Sequence, residues 1–195
     1  MEPQIAYQLE ITPIFIIKQI SQGRAEGNKF IHSQDIEDCT IAIDPVIREG
    51  IVRIEFVFQY SEGYGRIMGI ADASCSFAAG KGPSADRNDK KTVRYYNNGD
   101  FDHVTYNKVQ NKRYEDEQRI AVEVDMTSNP RKVTFFVNEV EQQNYMINIP
   151  DAVRFYAYNV NSLSIFTVTK FQRLNKSSFK GFSHSRAFEW GKRWK

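Results

Sequence analysis

The amino-acid sequence predicts an all-β protein, arranged as an antiparallel sandwich or barrel. About ten or more short runs are rich in Val, Ile, Phe and Tyr, and turn-forming residues separate them roughly every eight to twelve residues. The chain contains 14 Phe and 10 Tyr among its 195 residues, and these types suit pleated, half-buried surfaces better than helices. No segment of about a dozen residues has convincing helical periodicity, so the strands follow one another without intervening helices. The pattern indicates one antiparallel β domain, whose strands bury one face and leave the other in water.

The strands of the first half can be placed in order along the chain. "IAYQLEITPIFIIKQI" opens the series, and Pro13 interrupts it because proline cannot donate to a strand ladder. "KFIHS" and "CTIAID" follow, and then "VRIEFVFQY" at 52–60 alternates apolar with mostly polar side chains. "RIMGIAD" lies beyond the turn "EGYG", and a long polar loop, "AAGKGPSADRNDKK" at 78–91, separates it from "TVRYYN". "NNGD" is then a tight hairpin turn into "HVTYNK".

The second half centres on a predicted β-hairpin, "VEVDMTSNPRKVTFFVN" at 122–138. In its first strand Val122 and Val124 point one way while Glu123 and Asp125 point the other. A polar connector with Pro130 leads into the second strand. "NYMINI", "VRFYAYNV" and "SLSIFTVTKFQRL" are the strand-like runs that remain.

Charge is unevenly distributed along the chain, whose formal net charge is +2. Residues 175–195 contain six basic residues and one acidic residue, a net +5, so the preceding 174 residues sum to −3. A mildly acidic body argues against a nucleic-acid-binding body, which needs a basic face to release counterions from phosphates. The basic residues of the tail are Lys176, Lys180, Arg186, Lys192, Arg193 and Lys195.

The N-terminus and the cysteines indicate the cellular compartment. "MEPQIAYQLE" is acidic where a signal peptide has a basic region, and no apolar run approaches the roughly 20 residues that span a bilayer. The sequence therefore predicts a cytoplasmic protein, with the nucleus as the alternative. Cys39 and Cys75 lie in apolar contexts, and we expect both to be buried free thiols, as a reducing compartment favours.

The sequence contains no pattern that indicates catalysis. His32, His103 and His184 are far apart, none has a metal-ligand spacing, and neither cysteine belongs to a CxxC pair. We expect surface histidines, no catalytic residue, no metal and no cofactor, and hence no small-molecule substrate. The loop at 78–91 has the wrong order of residues for a phosphate-binding P-loop. It is either a solvated, flexible loop or a binding loop.

Several motifs in register resemble those of the SPRY domain family. "VEVDMTSNPRKVTFFVNEVEQQNYMINIPDAVRFYAYNVNSLSIFTVTKFQRL" is similar to the C-terminal half of such a domain. That half has a strand ending in V-x-V/L-D, a short turn with a basic residue, a strand like "FFVNG", an aromatic residue, "IP" and two final strands. Upstream, "VRIEFVF" with "GIADAS", and then "VRYYNNGDFDHV", resemble further strands of the family. The resemblance covers about residues 28–174.

Two positions depart from the family pattern. The glycine that often precedes the V-x-V-D strand is missing from "YEDEQRIAVEVD", which makes the entry turn different. The Asn-Gly pair that follows "FFV" is Asn138-Glu139 here, and glutamate adopts a positive φ less readily than glycine.

The resemblance implies a concanavalin A-like fold, a two-sheet antiparallel β-sandwich or SPRY-type jelly roll. The domain would comprise residues 1–174, followed by a basic-aromatic tail at 175–195. The resemblance also implies a non-enzymatic, adaptor-like module that binds a protein or peptide through loops at one edge, a role loops on a stiff scaffold can serve. By rough alignment these loops are 34–38, 77–90 and 159–162. The predicted partner-binding residues are Gln34, Asp35, Phe77, Lys81, Arg87, Tyr96, Asn159 and Asn161.

Two other functions stay open on the sequence. Concanavalin-like sandwiches include carbohydrate-binding lectins, which commonly hold Ca²⁺ through Asp and Asn oxygens, and Asp100 and Asp102 lie near the "NNGD" turn. The tail interleaves five large aromatic residues with its basic ones, a pattern that can bind nucleic acid or a membrane surface. We expect the tail instead to pack on the body, because full solvation of five large aromatics is unfavourable. The acidic body favours a basic or neutral protein partner.

Overall fold

The computed structural model of the chain describes residues 9–104 and 108–194. Within these residues it forms seventeen β-strands and two 3₁₀ turns, Ile20–Gln22 and Asn88–Lys90. None of its helical turns in these ranges is long or apolar enough to cross a bilayer. The start of the predicted opening run, part of "HVTYNK" and Lys195 lie outside the described residues. The strands are β1 (Leu9–Glu10), β2 (Ile14–Ile16), β3 (Gly23–Glu26), β4 (Lys29–His32), β5 (Cys39–Ile47), β6 (Ile51–Gln59), β7 (Ile67–Asp72), β8 (Thr92–Tyr96), β9 (Asp100–Asp102), β10 (Val109–Gln110), β11 (Ile120–Asp125), β12 (Lys132–Val137), β13 (Val140–Glu141), β14 (Asn144–Ile147), β15 (Val153–Asn159), β16 (Ile165–Leu174) and β17 (Arg186–Glu189).

The strands form two sheets. The described strands of the larger sheet run in the order β17-β14-β12-β11-β6-β16-β4-β3, with β1 beside β16 and β13 beside β12. The smaller sheet has the order β10-β9-β8-β7-β15-β5-β2. In the described part of the chain every strand pair is antiparallel except β14 with β17. One core cluster contains side chains from both sheets, so the predicted two-sheet antiparallel sandwich is confirmed.

The hairpin of β11 and β12 lies in the middle of the larger sheet. Val122 pairs with Phe135 on β12 and with Ile54 on β6, and all three side chains are fully buried in the core. Val124 continues this inward row, while Glu123 lies on the opposite face, as the alternation predicts. Aromatic rings fill much of the space between the sheets. They include Phe30, Phe56, Phe58, Phe101, Phe135, Phe155 and Phe166.

A polar network lies on the outer face of the larger sheet and is buried there. Glu123 is opposite Arg53 in the register, and their side chains approach to 3.7 Å. Arg53 Nη2 also lies 2.6 Å from a carboxylate oxygen of Glu139. Ser177 Oγ and the Ser178 N–H each donate to Glu123 Oε1 at 2.8 Å. The tail therefore crosses this face and covers a carboxylate that would otherwise be in water.

The turn after β12 keeps the backbone geometry that an Asn-Gly pair would supply. Asn138 has φ 49° and Glu139 has φ 66°, both in the left-handed region that favours glycine. Glu139 offsets part of this cost, because its carboxylate pairs with Arg53 and lies 3.8 Å from Lys170 Nζ. Burial alone would raise its pKa, but the charge of Arg53, followed by smaller contributions that include Lys170, lowers it overall.

Both ends of the described chain join the larger sheet. At the N-terminal side, β1 pairs with β16 and β3 pairs with β4. At the C-terminal side, β17 adds to β14, and Phe188 lies opposite Met146 in the register. The Trp194 ring stacks on Phe101 with centroids 5.3 Å apart and lies 4.4 Å from Phe188. The expected packing of the tail on the body is confirmed.

A buried histidine fixes the end of the tail. His103 Nδ1 donates to the Thr92 carbonyl oxygen at 2.8 Å, and the Gly191 N–H donates to Nε2, also at 2.8 Å. The Trp190 ring packs on the imidazole at a centroid distance of 4.3 Å. Burial lowers the pKa of His103 to about 4, so the imidazole is neutral at pH 7. The prediction that this histidine lies at the surface is wrong, because His103 directly follows β9 and lies under the tail.

The tail also gives its aromatic rings partners within the chain. Phe179 packs on Tyr145 at 4.8 Å, while Phe188 and Trp194 are buried. Phe182 is the large tail aromatic with the greatest exposure, at 47%. The buried rings of Phe188 and Trp194 are therefore not available for stacking on nucleic-acid bases.

Candidate functional site

The three loops predicted to form the partner surface meet at one end of the sandwich. Thr40, just after the first loop, donates its hydroxyl to the Lys81 carbonyl oxygen at 2.8 Å. The Glu37 N–H donates to the Val160 carbonyl oxygen at 3.2 Å, and the Leu163 N–H donates to the Ser33 carbonyl oxygen at 2.9 Å. The loop at 33–38 therefore bonds directly to the third loop, and the Glu37 carboxylate lies against Gly80 of the second.

A second buried histidine shapes the loop at 33–38. His32 ends β4, and its ring nitrogens face two carbonyl oxygens, Nδ1 that of Ser33 at 3.2 Å and Nε2 that of Glu37 at 3.0 Å. The prediction of a surface position is wrong for this residue too, whereas His184 is exposed. Because one imidazole contacts both ends of the loop, the loop has a defined shape before any partner arrives.

An open groove of about 690 Å³ lies beside this loop. Three large apolar side chains on different loops are exposed there, Ile36 by 59%, Tyr60 by 63% and Leu163 by 47%. Single exposed apolar residues are common, but several that line one concavity are characteristic of an interaction surface. The lining residues are Arg24, Ile31, Ile36, Tyr60, Glu62, Asn161, Ser162, Leu163 and Ile165.

The groove loops hold three side chains on a left-handed backbone. Tyr60 has φ 59°, Glu62 has φ 48° and Leu163 has φ 56°. For residues other than glycine this conformation is unfavourable, and it persists only where the surroundings enforce it. Asn161 supplies one such restraint, because its side-chain N–H donates to the Tyr60 carbonyl oxygen at 2.8 Å. The Ser61 N–H donates to an Asp116 carboxylate oxygen, also at 2.8 Å.

The predicted partner-binding residues occupy two kinds of position. Gln34, Asp35, Lys81 and Arg87 are exposed on the loops, and Tyr96 is half-buried. These five side chains remain predicted contacts, since no bound partner is present to identify the residues that touch it.

The other three predicted residues are buried and support the loops from below. Phe77 packs on Tyr156 at a centroid distance of 5.2 Å. Asn159 donates to the Ser164 hydroxyl at 2.9 Å, and Asn161 makes the bond to Tyr60 described above. Their contacts are therefore internal in the unbound chain.

Sequence reasoning missed the apolar residues of the groove. Ile36 is the apolar residue within the acidic connector "QDIED", and Leu163 interrupts the polar turn "NSLS". Tyr60 is the last residue of the predicted strand "VRIEFVFQY", shortly before the turn "EGYG". A large apolar residue inside a polar turn is the signal that could have identified two of them, although it does not predict that they share a groove.

A smaller cleft of about 240 Å³ has polar groups that already contact other parts of the chain. Arg154 Nε lies 2.5 Å from an Asp44 carboxylate oxygen, and Lys18 Nζ donates to the Ser76 hydroxyl at 3.0 Å. The Thr40 hydroxyl is used in the bond to Lys81. The Thr40 bond joins the loop at 73–91 to the smaller sheet, and the Arg154–Asp44 pair joins two strands of that sheet, so we interpret the cleft as part of the scaffold.

The two thiols are not activated for nucleophilic chemistry. Cys39 is buried as expected and Cys75 is half-buried, and both are free. Burial raises the pKa of Cys39 to about 12 and that of Cys75 to about 11. Reactive cysteines have lowered pKa values, because the thiolate is the nucleophile.

The carboxylates considered for a calcium site contact basic and amide groups of the chain instead. Asp102 Oδ1 lies 2.5 Å from Arg94 Nε in the interior, and Asp100 accepts from Lys108 Nζ at 2.8 Å and from the Gln110 amide. Within the described ranges, no group of three or more His, Cys, Asp and Glu side chains could hold a metal ion.

Comparisons with known proteins identify the fold. No protein-family model matches the chain, and no curated protein sequence does. Among solved structures, the SPRY domain of human HERC1 superposes with a TM-score of 0.56 at 11% identity, over 77% of this chain and 91% of that domain. The PSpry domain of TRIM65 gives a TM-score of 0.58 at 8% identity, over 81% of this chain and 89% of that one. Stonustoxin gives 0.57 at 8% identity, and the chain spans only 27% of its length.

These superpositions define the chain first as a two-layer β-sandwich domain. Because two of the matched structures are SPRY domains covered over about nine-tenths of their length, the particular fold is that of a SPRY-type domain. The resemblance found in the sequence motifs is confirmed at the level of the fold.

Proposed function

We propose that this SPRY-type domain is a non-enzymatic interaction module that binds a segment of another protein in the groove at its loop end. The observation that carries the proposal is the convergence of Ile36, Tyr60 and Leu163, exposed on three separate loops, in one open groove. The raised pKa values of the two thiols support a role without nucleophilic catalysis.

The physical basis of binding is burial of apolar side chains on a preformed surface. Fully burying one Leu, Ile or Phe side chain is worth about 1.5–3 kcal/mol. A flexible loop would lose much of this gain on ordering, whereas these loops are already held by the His32 and Asn161 hydrogen bonds. The left-handed backbone of Tyr60 and Leu163 supports the same interpretation, because local strain clusters at sites that serve recognition.

The test is a pull-down with the intact protein and a variant whose groove is charged, Ile36→Asp with Leu163→Asp. The matched control is Phe182→Asp, since Phe182 has the same 47% exposure as Leu163 but lies on the tail. Mass spectrometry should identify proteins that are captured by the wild type and the control and lost from the groove variant. Circular dichroism would establish that all three proteins are folded.

Identical capture by all three proteins would overturn the proposal. Replacing the whole loop at 77–90 is a less informative test, because Phe77, Pro83 and Asn88 are buried. Replacing this loop would therefore damage the scaffold as well as the surface.

A further inference from the structure

The groove has an acidic rim on one side. Asp35 directly precedes Ile36 and is exposed, and Glu62 lines the groove itself. Glu37 and Asp38 face the loop at 77–91 instead, because the Glu37 carboxylate lies against Gly80 and Asp38 accepts from the Tyr158 hydroxyl at 2.7 Å. In residues 9–104 and 108–194, neither the Asp35 nor the Glu62 carboxylate takes part in an ion pair. The negative charge beside the groove is therefore not neutralised by ion pairs within the described chain.

Among the described residues that line the groove, the one basic side chain, that of Arg24, does not offset this charge. Arg24 Nε lies 2.7 Å from a carboxylate oxygen of Glu26, so its charge is already paired. The loop on the other side of 33–38 has the opposite balance. Residues 77–91 contain four basic residues, Lys81, Arg87, Lys90 and Lys91, against two acidic ones, Asp86 and Asp89. On the groove side, Asp35 and Glu62 therefore carry a negative charge that the groove lining does not offset.

We propose that the partner segment is basic and apolar, with one or two large apolar side chains in the groove and Lys or Arg beside them facing Asp35 and Glu62. This inference rests on the proposed function and adds the chemistry of the partner to it. An acidic segment would bring like charges together, which is unfavourable, whereas a basic one is steered toward the groove.

The exposure of these carboxylates sets the size of the expected effect. Exposed charge pairs each contribute little and are screened by salt, so two of them together change affinity by about 5- to 10-fold at low ionic strength. The apolar contacts supply the remaining affinity and are insensitive to salt. A partner of this kind therefore binds with a modest but measurable salt dependence.

The experiment begins with selection from a random 12-residue peptide display library on the intact protein. Binders that also bind the Ile36→Asp, Leu163→Asp variant are discarded, which leaves those that depend on the groove. We expect them to be enriched in Lys or Arg next to Leu, Ile, Phe or Trp. Enrichment of groove-dependent peptides without basic residues would overturn this inference and leave the proposed function standing.

The selected peptide is then measured by fluorescence anisotropy against Asp35→Asn with Glu62→Gln. The control is Glu49→Gln with Asp151→Asn, which changes net charge equally at exposed positions that do not line the groove. We expect the first variant to bind about 5- to 10-fold more weakly at 50 mM salt, the difference to shrink at 500 mM, and the control to match the wild type. Equal weakening by both variants, or by neither, would contradict a local acidic rim.

Two further outcomes distinguish this inference from the proposed function on which it rests. If no peptide depends on the groove, both are overturned. If the groove instead mediates self-association, size-exclusion chromatography will show a dimer that the Ile36→Asp, Leu163→Asp variant abolishes. That result would replace the basic peptide with a second copy of the chain.

Discussion

The loop end and the tail-bearing edge of the larger sheet both contain large apolar residues and carboxylates. The chain covers these side chains at the tail-bearing edge and leaves them exposed at the loop end. At the tail-bearing edge, Phe188 and Trp194 are buried between the sheets. The Glu141 carboxylate there accepts the N–H groups of Lys180 and Gly181 at 2.8 and 3.0 Å. At the loop end, apolar side chains are exposed and nearby carboxylates lack ion pairs in the described residues.

This contrast distinguishes structure from recognition. Where the chain supplies a partner for each apolar ring and carboxylate, those residues stabilise the sandwich and have little capacity left to bind another molecule. At the loop end the chain leaves large apolar side chains uncovered. The exposed apolar surface and the left-handed backbone there lower the stability of the domain. Binding of another molecule would recover part of that stability.

The largest expected effect comes from removing a ring at the tail-bearing edge. Trp194→Ala should lower the free energy of unfolding by about 3–5 kcal/mol, because it leaves a cavity against Phe101 and Phe188. Phe182→Ala should change it by less than about 0.5 kcal/mol, since that ring is largely in solvent. Urea denaturation measures both. A similar loss of unfolding free energy in the two variants would contradict the comparison. It would mean that the Trp194 ring is not part of the core.

The next effect depends on pH and tests how the tail is held. His103 has a pKa of about 4 when folded and an ordinary value of 6.5, so below pH 6.5 the unfolded chain binds a proton that the folded chain does not. The stabilisation is therefore complete above pH 6.5 and is lost as the pH falls toward 4, by about 3 kcal/mol in all. Urea midpoints between pH 7 and pH 4 measure this slope.

His103→Gln is the control for the pH series. Between pH 6.5 and pH 5, the free energy of unfolding of this variant should fall less steeply than that of the wild type. The carboxylates that remain titrate mostly at lower pH. NMR titration of the imidazole in the wild-type protein measures the folded pKa directly. A value near 6.5 would show that the histidine is solvated and does not hold the tail.

The smallest effect sharpens the comparison at the loop end. Leu163→Gly and Leu163→Ala both remove the exposed side chain, but only glycine accepts φ 56° without strain. The glycine variant should therefore be more stable than the alanine variant by about 1 kcal/mol, and both should bind a groove-dependent peptide equally weakly. Equal stability would show that the backbone at this position is not strained.

Much of the fold could be predicted from local patterns, and part of the loop surface could be predicted by resemblance. The alternation of Val122 and Val124 with Glu123 indicated which face of the strand is buried. Gln34, Asp35 and Lys81 are exposed on loops that meet in the structure, while their role as partner contacts stays a prediction. The groove was not predicted, because Ile36 and Leu163 are 127 residues apart and come together only through contacts between strands.

Burial of polar residues was also beyond local reasoning. His32 and His103 look like surface histidines in the sequence, yet each fixes a loop or a tail from inside. Which polar side chains are buried depends on what crosses over them, and those contacts come from distant parts of the chain.

By itself, the sequence determined the class of fold and the inward faces of the central strands, since side-chain alternation is a local property of an extended chain. Only the tertiary structure decided which carboxylates are covered by the tail and which remain open beside the groove. The physical reason is that solvation and charge pairing depend on neighbours in space, which strand order and loop packing bring together.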